Sequence, residues 1–287
     1  MIPFFSHHYH LCIIIIGSSL VGLISGILGT FVYLRKQSLL GDAISHAAFP
    51  GIVLALLLTA NKNPLVLLIG GTISGSIGMI LAMIITRITK IHSDTVLGII
   101  LSTFFGGGLL LLSIAQKYPR ADQAILNKFL FGNIAILLSS DLWLIIIIGI
   151  LVISNTILFW KELKLYVFDQ SFCALTYNTQ FINSLLTFLL IMVIAIGMQS
   201  VGVILMSSLL IAPAAAARQW TLRLETTMLL ASFFGIFSAI SGALISDSFH
   251  MPTGPMIVVT LSCIFALSLI FSPERGLWLP LKRKAQL

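Results

Sequence analysis

From Leu11 to about Ser272 the chain alternates long apolar runs with short polar breaks. The runs fall at 11–34, 43–60, 64–86, 95–115, 141–160, 180–198, 200–217, 226–246 and 254–272. Each approaches the roughly 20 apolar residues that a helix needs to cross a bilayer, where backbone polar groups are satisfied only within helices or closed barrels. The pattern predicts an all-α fold, a polytopic transmembrane helical bundle of about nine spans. Only a turn around Met198 to Ser200 divides the sixth run from the seventh. No stretch between runs could hold a soluble domain, and neither repeats nor low-complexity linkers interrupt them. Residues 1–287 therefore read as one transmembrane domain.

Composition sharpens this picture. With 58% hydrophobic residues, 9% charged residues and a mean hydropathy of +1.10, the chain departs far from a soluble domain, in which about a quarter of residues are charged. The formal charge of +7 does not point to nucleic acid, because Lys and Arg are scattered in pairs at the ends of runs. Their placement reads as topology, since basic residues are kept on the cytoplasmic side. Arg35 and Lys36, Arg87 and Lys90, Lys161 and Lys164, Arg218 and Arg223, and the tail with Arg275, Lys282, Arg283 and Lys284 fall on one side. Lys62, Lys117, Arg120 and Lys128 fall on the other. This bias puts the N-terminus outside and the C-terminus in the cytoplasm, which an odd number of spans satisfies. No Lys or Arg precedes Arg35, so the first run is expected to be a retained span rather than a cleaved signal. Cys12, Cys173 and Cys263 form no metal-binding pattern and read as free thiols.

Small residues recur every fourth position: Ser18, Gly22, Gly26 and Thr30 in the first run, Gly71 and Gly75 in the third, Gly98, Ser102 and Gly106 in the fourth. Such stripes let helices approach closely in lipid. Two segments outside the runs are long enough to matter. Residues 116–140 include the half-apolar "DQAILNKFLFGN", which suits an interfacial or re-entrant piece. Residues 161–179 form a cytoplasmic segment in which Tyr166, Phe168, Phe172 and Leu175 give an apolar set on a short helix, suited to docking a partner.

Nine acids are present, and most have ordinary explanations. Asp94, Asp141 and Glu225 precede runs, where helix starts favour negative charge, and Glu162 and Glu274 sit beside cytoplasmic basic residues. Asp42 and Asp247 stand out because each has a histidine close by, His46 and His250. At a spacing of i, i+4 Asp42 and His46 share one helix face, and an ionisable residue inside a span marks a functional site by default. A carboxylate with an imidazole suits manganese, zinc or iron better than calcium or magnesium. Two ligands make a transit site rather than a storage site. The bland alternative is a helix-start acid beside a hydrogen-bonded core histidine. "SDSFHMPTG", with Asp247 and His250, reads either as a solvated outer turn or as an outer metal-ligating gate. His7, His8 and His10 precede the first run on the same side, on a terminus expected to be loose. No G-x-x-x-x-G-K-[ST] phosphate loop occurs, so the chain alone does not hydrolyse ATP and is not expected to be an enzyme.

Several blocks resemble one known family. "LLGDAISHAAFPGIVLA", "DTVLGIILSTFFGGGLLLLS", "KFLFGNI" followed by Asp141 and Leu142, "VGVILMSSLLIAPAAAAR" and "MPTGPMIVV" are similar, in order, to blocks of the permeases of bacterial ATP-binding-cassette importers for zinc, manganese or iron. The resemblance covers nearly the whole chain. It implies a multi-pass permease of the bacterial cytoplasmic (inner) membrane that works with a cytoplasmic ABC ATPase, an extracytoplasmic metal-binding protein and a second permease copy, identical or not. It implies no permanently bound cofactor, only a transported divalent metal ion, with Asp42 and His46 on its path. The family's cytoplasmic helix, of the form F-D-P-x-x-A-x-x-x-G, couples permease to ATPase. Here "FDQSFCALTYNT" keeps Phe168, Asp169 and Phe172 as ATPase-docking residues, while Gln170 and Tyr177 replace the proline and glycine, which implies a diverged partner. Two rival readings stand beside this one. A gradient-driven secondary metal transporter would use Asp42 as its coupling acid, and a non-transporting membrane scaffold would use the polar pair structurally.

Overall fold

The computed structural model describes residues 2–59, 63–115, 139–200 and 202–273. Residues 116–138 of the expected interfacial piece at 116–140, Lys62, and the basic tail from Arg275 lie outside the described residues. All regular structure among them is helical: α1 (Ile2–Leu34), α2 (Leu39–Thr59), α3 (Pro64–Ile88), α4 (Ser93–Ala115), α5 (Ser139–Leu158), α6 (Trp160–Phe168), α7 (Gln170–Thr176), α8 (Thr179–Ser200), α9 (Val203–Trp220), α10 (Leu224–Phe249) and α11 (Thr253–Phe271). Eight of these are long and apolar enough to cross a membrane. The ninth long helix, α9, has 18 residues and rises about 27 Å at 1.5 Å per residue, close to the thickness of a hydrocarbon core.

Several boundaries differ from the hydropathy runs, each for a local reason. Helix α2 begins at Leu39 rather than at residue 43, because Lys36, with φ of 58°, turns the chain at once after α1. Asn63 caps α3 by accepting from the Leu65 N–H at 3.1 Å, with Pro64 pre-set for the first turn. Gly202, at φ of 94°, makes the tight break between α8 and α9. Helix α10 runs on to Phe249, so Asp247 belongs to its last turn. As expected of helix-start acids, Asp94, Asp141 and Glu225 sit in first turns.

Packing follows the small residues. Helices α1 and α10 run antiparallel and nearly touch: a Cβ on Gly22 would lie 2.6 Å from the Gly235 carbonyl oxygen, and one on Gly26 would lie 2.6 Å from the Ser232 nitrogen. Only glycine permits this approach, and the Ser232 hydroxyl uses it to donate to the Leu23 carbonyl at 3.3 Å. Helices α3 and α4 pack on α2, and α11 packs on α10. Helix α9 touches α1, α2, α10 and α11, and so joins the two groups, with α8 lying against α1, α2 and α3. Helix α2 is the most buried of the eight spans, at 72% against 22% for α4 and α11, with Ser45 fully buried and Asp42 and His46 half-buried.

Candidate functional site

Asp42 and His46 occupy the first and second turns of α2, on one face of the helix, and both are half-buried. Close neighbours fix the position of this stretch. A Cβ on Gly41 would stand 2.9 Å from the Leu210 side chain of α9, and the Ser74 hydroxyl of α3 donates to the Ala47 carbonyl at 2.7 Å. Phe105 of α4 stands edge-on to the His46 ring, with centroids 4.6 Å apart at 70°, and leans on Phe49. The imidazole is therefore held between α2 and α4.

His46 Nδ1 is buried and has no hydrogen-bond partner among the described residues. Leaving such a nitrogen unpaired costs about 1–3 kcal/mol, which a ligand at that atom would recover. Pro50 lies inside the helix four residues on and has no N–H, so the His46 carbonyl oxygen also lacks its helical donor. One stretch thus offers a carboxylate, an imidazole nitrogen and a freed carbonyl oxygen, a donor set suited to a divalent transition metal. No group of three or more His, Cys, Asp or Glu among the described residues could hold a metal ion. A site with only two side-chain donors would hold an ion weakly and release it readily.

Asp247 and His250 lie elsewhere. Helix α1 runs antiparallel to α10, with Gly26 level with Ala231 and Ser232, while Gly29 and Gly41 both face Leu210. Asp42 therefore lies near the start of α10 and Asp247 near its end, roughly 25–30 Å apart along the axis. The two pairs do not meet within the chain. Asp247 is half-buried, whereas His250 is exposed and caps α10 in the left-handed conformation, with φ of 53°, its N–H directed to the Asp247 and Ser246 carbonyls. Residues 7, 8 and 10 fall within α1, and the side chains of His7, His8 and His10 lie outside the described set.

The 161–179 segment differs from the single apolar face expected of it. It forms two short helices, α6 and α7, broken at Asp169, whose side chain accepts from the Phe172 N–H at 2.9 Å and caps α7. The break turns Tyr166 inward, where it is 4% exposed, and leaves Phe168, Phe172 and Leu175 at 55%, 54% and 85% exposed. Cys173 is fully buried, and burial, with Asp169 and Glu162 adding to it, raises its thiol pKa. A surface ion pair of Lys164 with Glu225 at 2.6 Å ties α6 to the start of α10.

Hydropathy did not single out the cluster beneath α2. Arg35 donates to Asn183 Oδ1 at 3.1 Å, the Tyr166 hydroxyl donates to the same oxygen at 3.0 Å, and Asn183 Nδ2 donates to Met83 Sδ at 3.8 Å. The Arg35 guanidinium also lies 4.6 Å from the Tyr166 ring centroid, a cation–π contact. Burial lowers the Arg35 pKa and raises that of Tyr166. Asn183, the lone amide near the start of the apolar "FINSLLTFLL", was the available signal. This end of the bundle also carries Lys36, Arg87, Lys164, Arg218 and Arg223, which places twin charges at the α1–α2, α5–α8 and α9–α10 connections together.

The model of the ABC 3 transport family matches residues 7–272. The chain is 44% identical over 278 residues to a zinc transport system membrane protein, TroC, of Treponema pallidum, covering 96% of this chain and 93% of that one. It is 41% identical over 266 residues to a manganese transport system membrane protein, MntC, of Bacillus subtilis, covering 92% of this chain and 61% of that one. Among solved structures, PsaBC from Streptococcus pneumoniae in complex with Fab superposes with a TM-score of 0.86 at 32% identity, covering 98% of this chain and 100% of that one.

Proposed function

The chain belongs to the ABC 3 transport family, and on that premise we propose that it is the permease of an ATP-driven importer of divalent transition-metal ions, manganese or zinc foremost. It is a multi-pass protein of the bacterial cytoplasmic membrane and carries no nucleotide-binding motif, so hydrolysis belongs to a separate ATPase subunit. The basic end of the bundle faces the cytoplasm, in keeping with the positive-inside rule, and the start of α1 lies outside.

In this reading the ion exchanges part of its hydration shell for the Asp42 carboxylate and His46 Nδ1, then leaves when movement of α2 against α3 and α4 separates the two donors. The single observation that carries it is the orphaned His46 Nδ1, buried one turn from a carboxylate in the most buried span. Asp247 and His250 serve as an outer contact, where the delivery protein hands over the ion. Phe168, Phe172 and Leu175 dock on the ATPase, with Asp169 holding α7 in shape; their exposure on a tethered pair of short helices supports this. The second permease copy meets α4, because Cβ atoms built on Gly98 and Gly106 find nothing within 4 Å among the described residues, although the comparable glycines of α1 and α3 are filled by neighbours.

The test is accumulation of manganese, zinc and iron, by elemental mass spectrometry, in metal-starved cells expressing the chain with its ATPase and binding protein. Import of one metal that requires both partners is the expected result. Uptake by this chain without an ATPase would overturn the reading in favour of a gradient-driven carrier.

A further inference from the structure

At the basic end a cleft opens between α3, α8 and the α6–α7 segment. It consists of two adjoining cavities of about 490 Å³ and 240 Å³ that share Arg87, Tyr166, Gln170 and Asn183, with Arg35 lining the smaller one. Among the described residues no aspartate or glutamate lines either cavity. Arg35 is fixed by Asn183 and by the Tyr166 ring, and Arg87 ends α3 on an exposed turn; neither has a carboxylate partner among the described residues. A divalent cation leaving the bundle would meet two guanidinium groups here, so the cleft is not its route.

The chemistry instead suits an anion. Planar guanidinium forks and amide donors match phosphate oxygens, and a basic pocket between helices at the cytoplasmic face is where lipid headgroups bind. On α3 an exposed row of Ile77, Ile80, Ile84 and Ile88 leads along the bundle surface to Arg87. A phosphate beside an apolar row is the pattern of an anionic phospholipid, with its headgroup in the cleft and an acyl chain along the helix. We propose that this cleft binds a phosphate group, supplied by an anionic phospholipid of the inner leaflet, through Arg87 and Arg35. The same phosphate chemistry could be met by free phosphate. A lipid held there bridges α3 to the α6–α7 segment and, through Asn183 and Arg35, to the foot of α2.

The test uses the full complex with its ATPase, purified in detergent. Phosphatidylglycerol, or phosphatidylcholine with the same acyl chains, is added, and retention is read by native mass spectrometry. The wild type is expected to hold phosphatidylglycerol under activation that strips phosphatidylcholine. Arg87→Gln is expected to lower that retention about fivefold, the effect of one basic contact to an anionic lipid, and Lys90→Gln on the adjacent loop to leave it unchanged. Thermal unfolding separates the sources. A rise in midpoint with phosphatidylglycerol but not with inorganic phosphate assigns the lipid, and a rise with inorganic phosphate as well assigns a soluble phosphate to the same site. Equal retention of the two lipids, or equal losses in Arg87→Gln and Lys90→Gln, would overturn the proposal, since neither outcome requires a built site.

Discussion

Gly70→Ala tests whether the α2–α3 contact holds the candidate site in place. Gly70 faces Gly51 across the helix crossing, and a Cβ there would lie 2.6 Å from the Gly51 carbonyl oxygen and 2.7 Å from the Ala55 Cβ. Ordinary contact begins near 3.4 Å, so the two helices must part by about 0.8 Å. The Ser74 hydroxyl, one turn along α3, reaches the Ala47 carbonyl at 2.7 Å, and the same movement stretches that bond to the limit of hydrogen bonding. Overpacking costs about 1–3 kcal/mol, the lost interhelical bond adds about 0.6, and alanine's better helix propensity returns about 0.5–1. The net loss is on the order of 2 kcal/mol. Because Ala47 follows His46, metal transport should fall with stability. Unfolding of the purified complex, followed by heat or by detergent titration, measures the first effect, and metal uptake measures the second. Ser74→Ala alone should cost about 0.6 kcal/mol, and adding it to Gly70→Ala should cost almost nothing more, since the bond is already broken. Wild-type stability and uptake in Gly70→Ala, or full additivity in the double variant, would refute the reasoning.

Three further outcomes follow from the same geometry. Cys173, fully buried with its thiol pKa raised chiefly by burial, should resist maleimide labelling in the folded complex at neutral pH and become reactive only on denaturation. Phe172→Ala and Phe168→Ala should weaken co-purification of the ATPase while leaving the unfolding free energy within about 0.5 kcal/mol of wild type, because both rings are more than half exposed. Ser102→Cys, between the unfilled Gly98 and Gly106, should form a disulfide between two copies under mild oxidation; failure there, with crosslinking on another helix, would move the seam.

Hydropathy was enough to draw the spans, because a long apolar run has few alternatives in lipid. It erred where local stereochemistry intervenes. The left-handed Lys36 lets α2 start four residues early and brings Asp42 inside the helix, and α10 is stopped only at the left-handed His250, which leaves Asp247 in its last turn. In the α6–α7 segment the apolar pattern alone could not show that Asp169 caps a new helix and so turns Tyr166 inward, away from Phe168 and Phe172. The i, i+4 pair at Asp42 and His46 was legible because a helix face is set by spacing. Its distance from Asp247 was not, since that depends on α1 and α10 running antiparallel through the glycine contact. The Arg35–Tyr166–Asn183 cluster joins residues up to 148 apart in the chain, beyond the reach of any local pattern.

The most direct test of the central claim is metal flux into proteoliposomes containing the complete importer, supplied with ATP and the metal-loaded binding protein, for wild type, Asp42→Asn and His46→Ala. If these two side chains carry the ion, each variant should lose flux by about tenfold or more, since losing even a residue that only supports a metal ligand costs about 10–100-fold. Assembly with the ATPase and the thermal midpoint should stay near wild type. Undiminished flux in His46→Ala, or a loss that tracks failed assembly, would contradict the account and leave the orphaned Nδ1 without a role in transport.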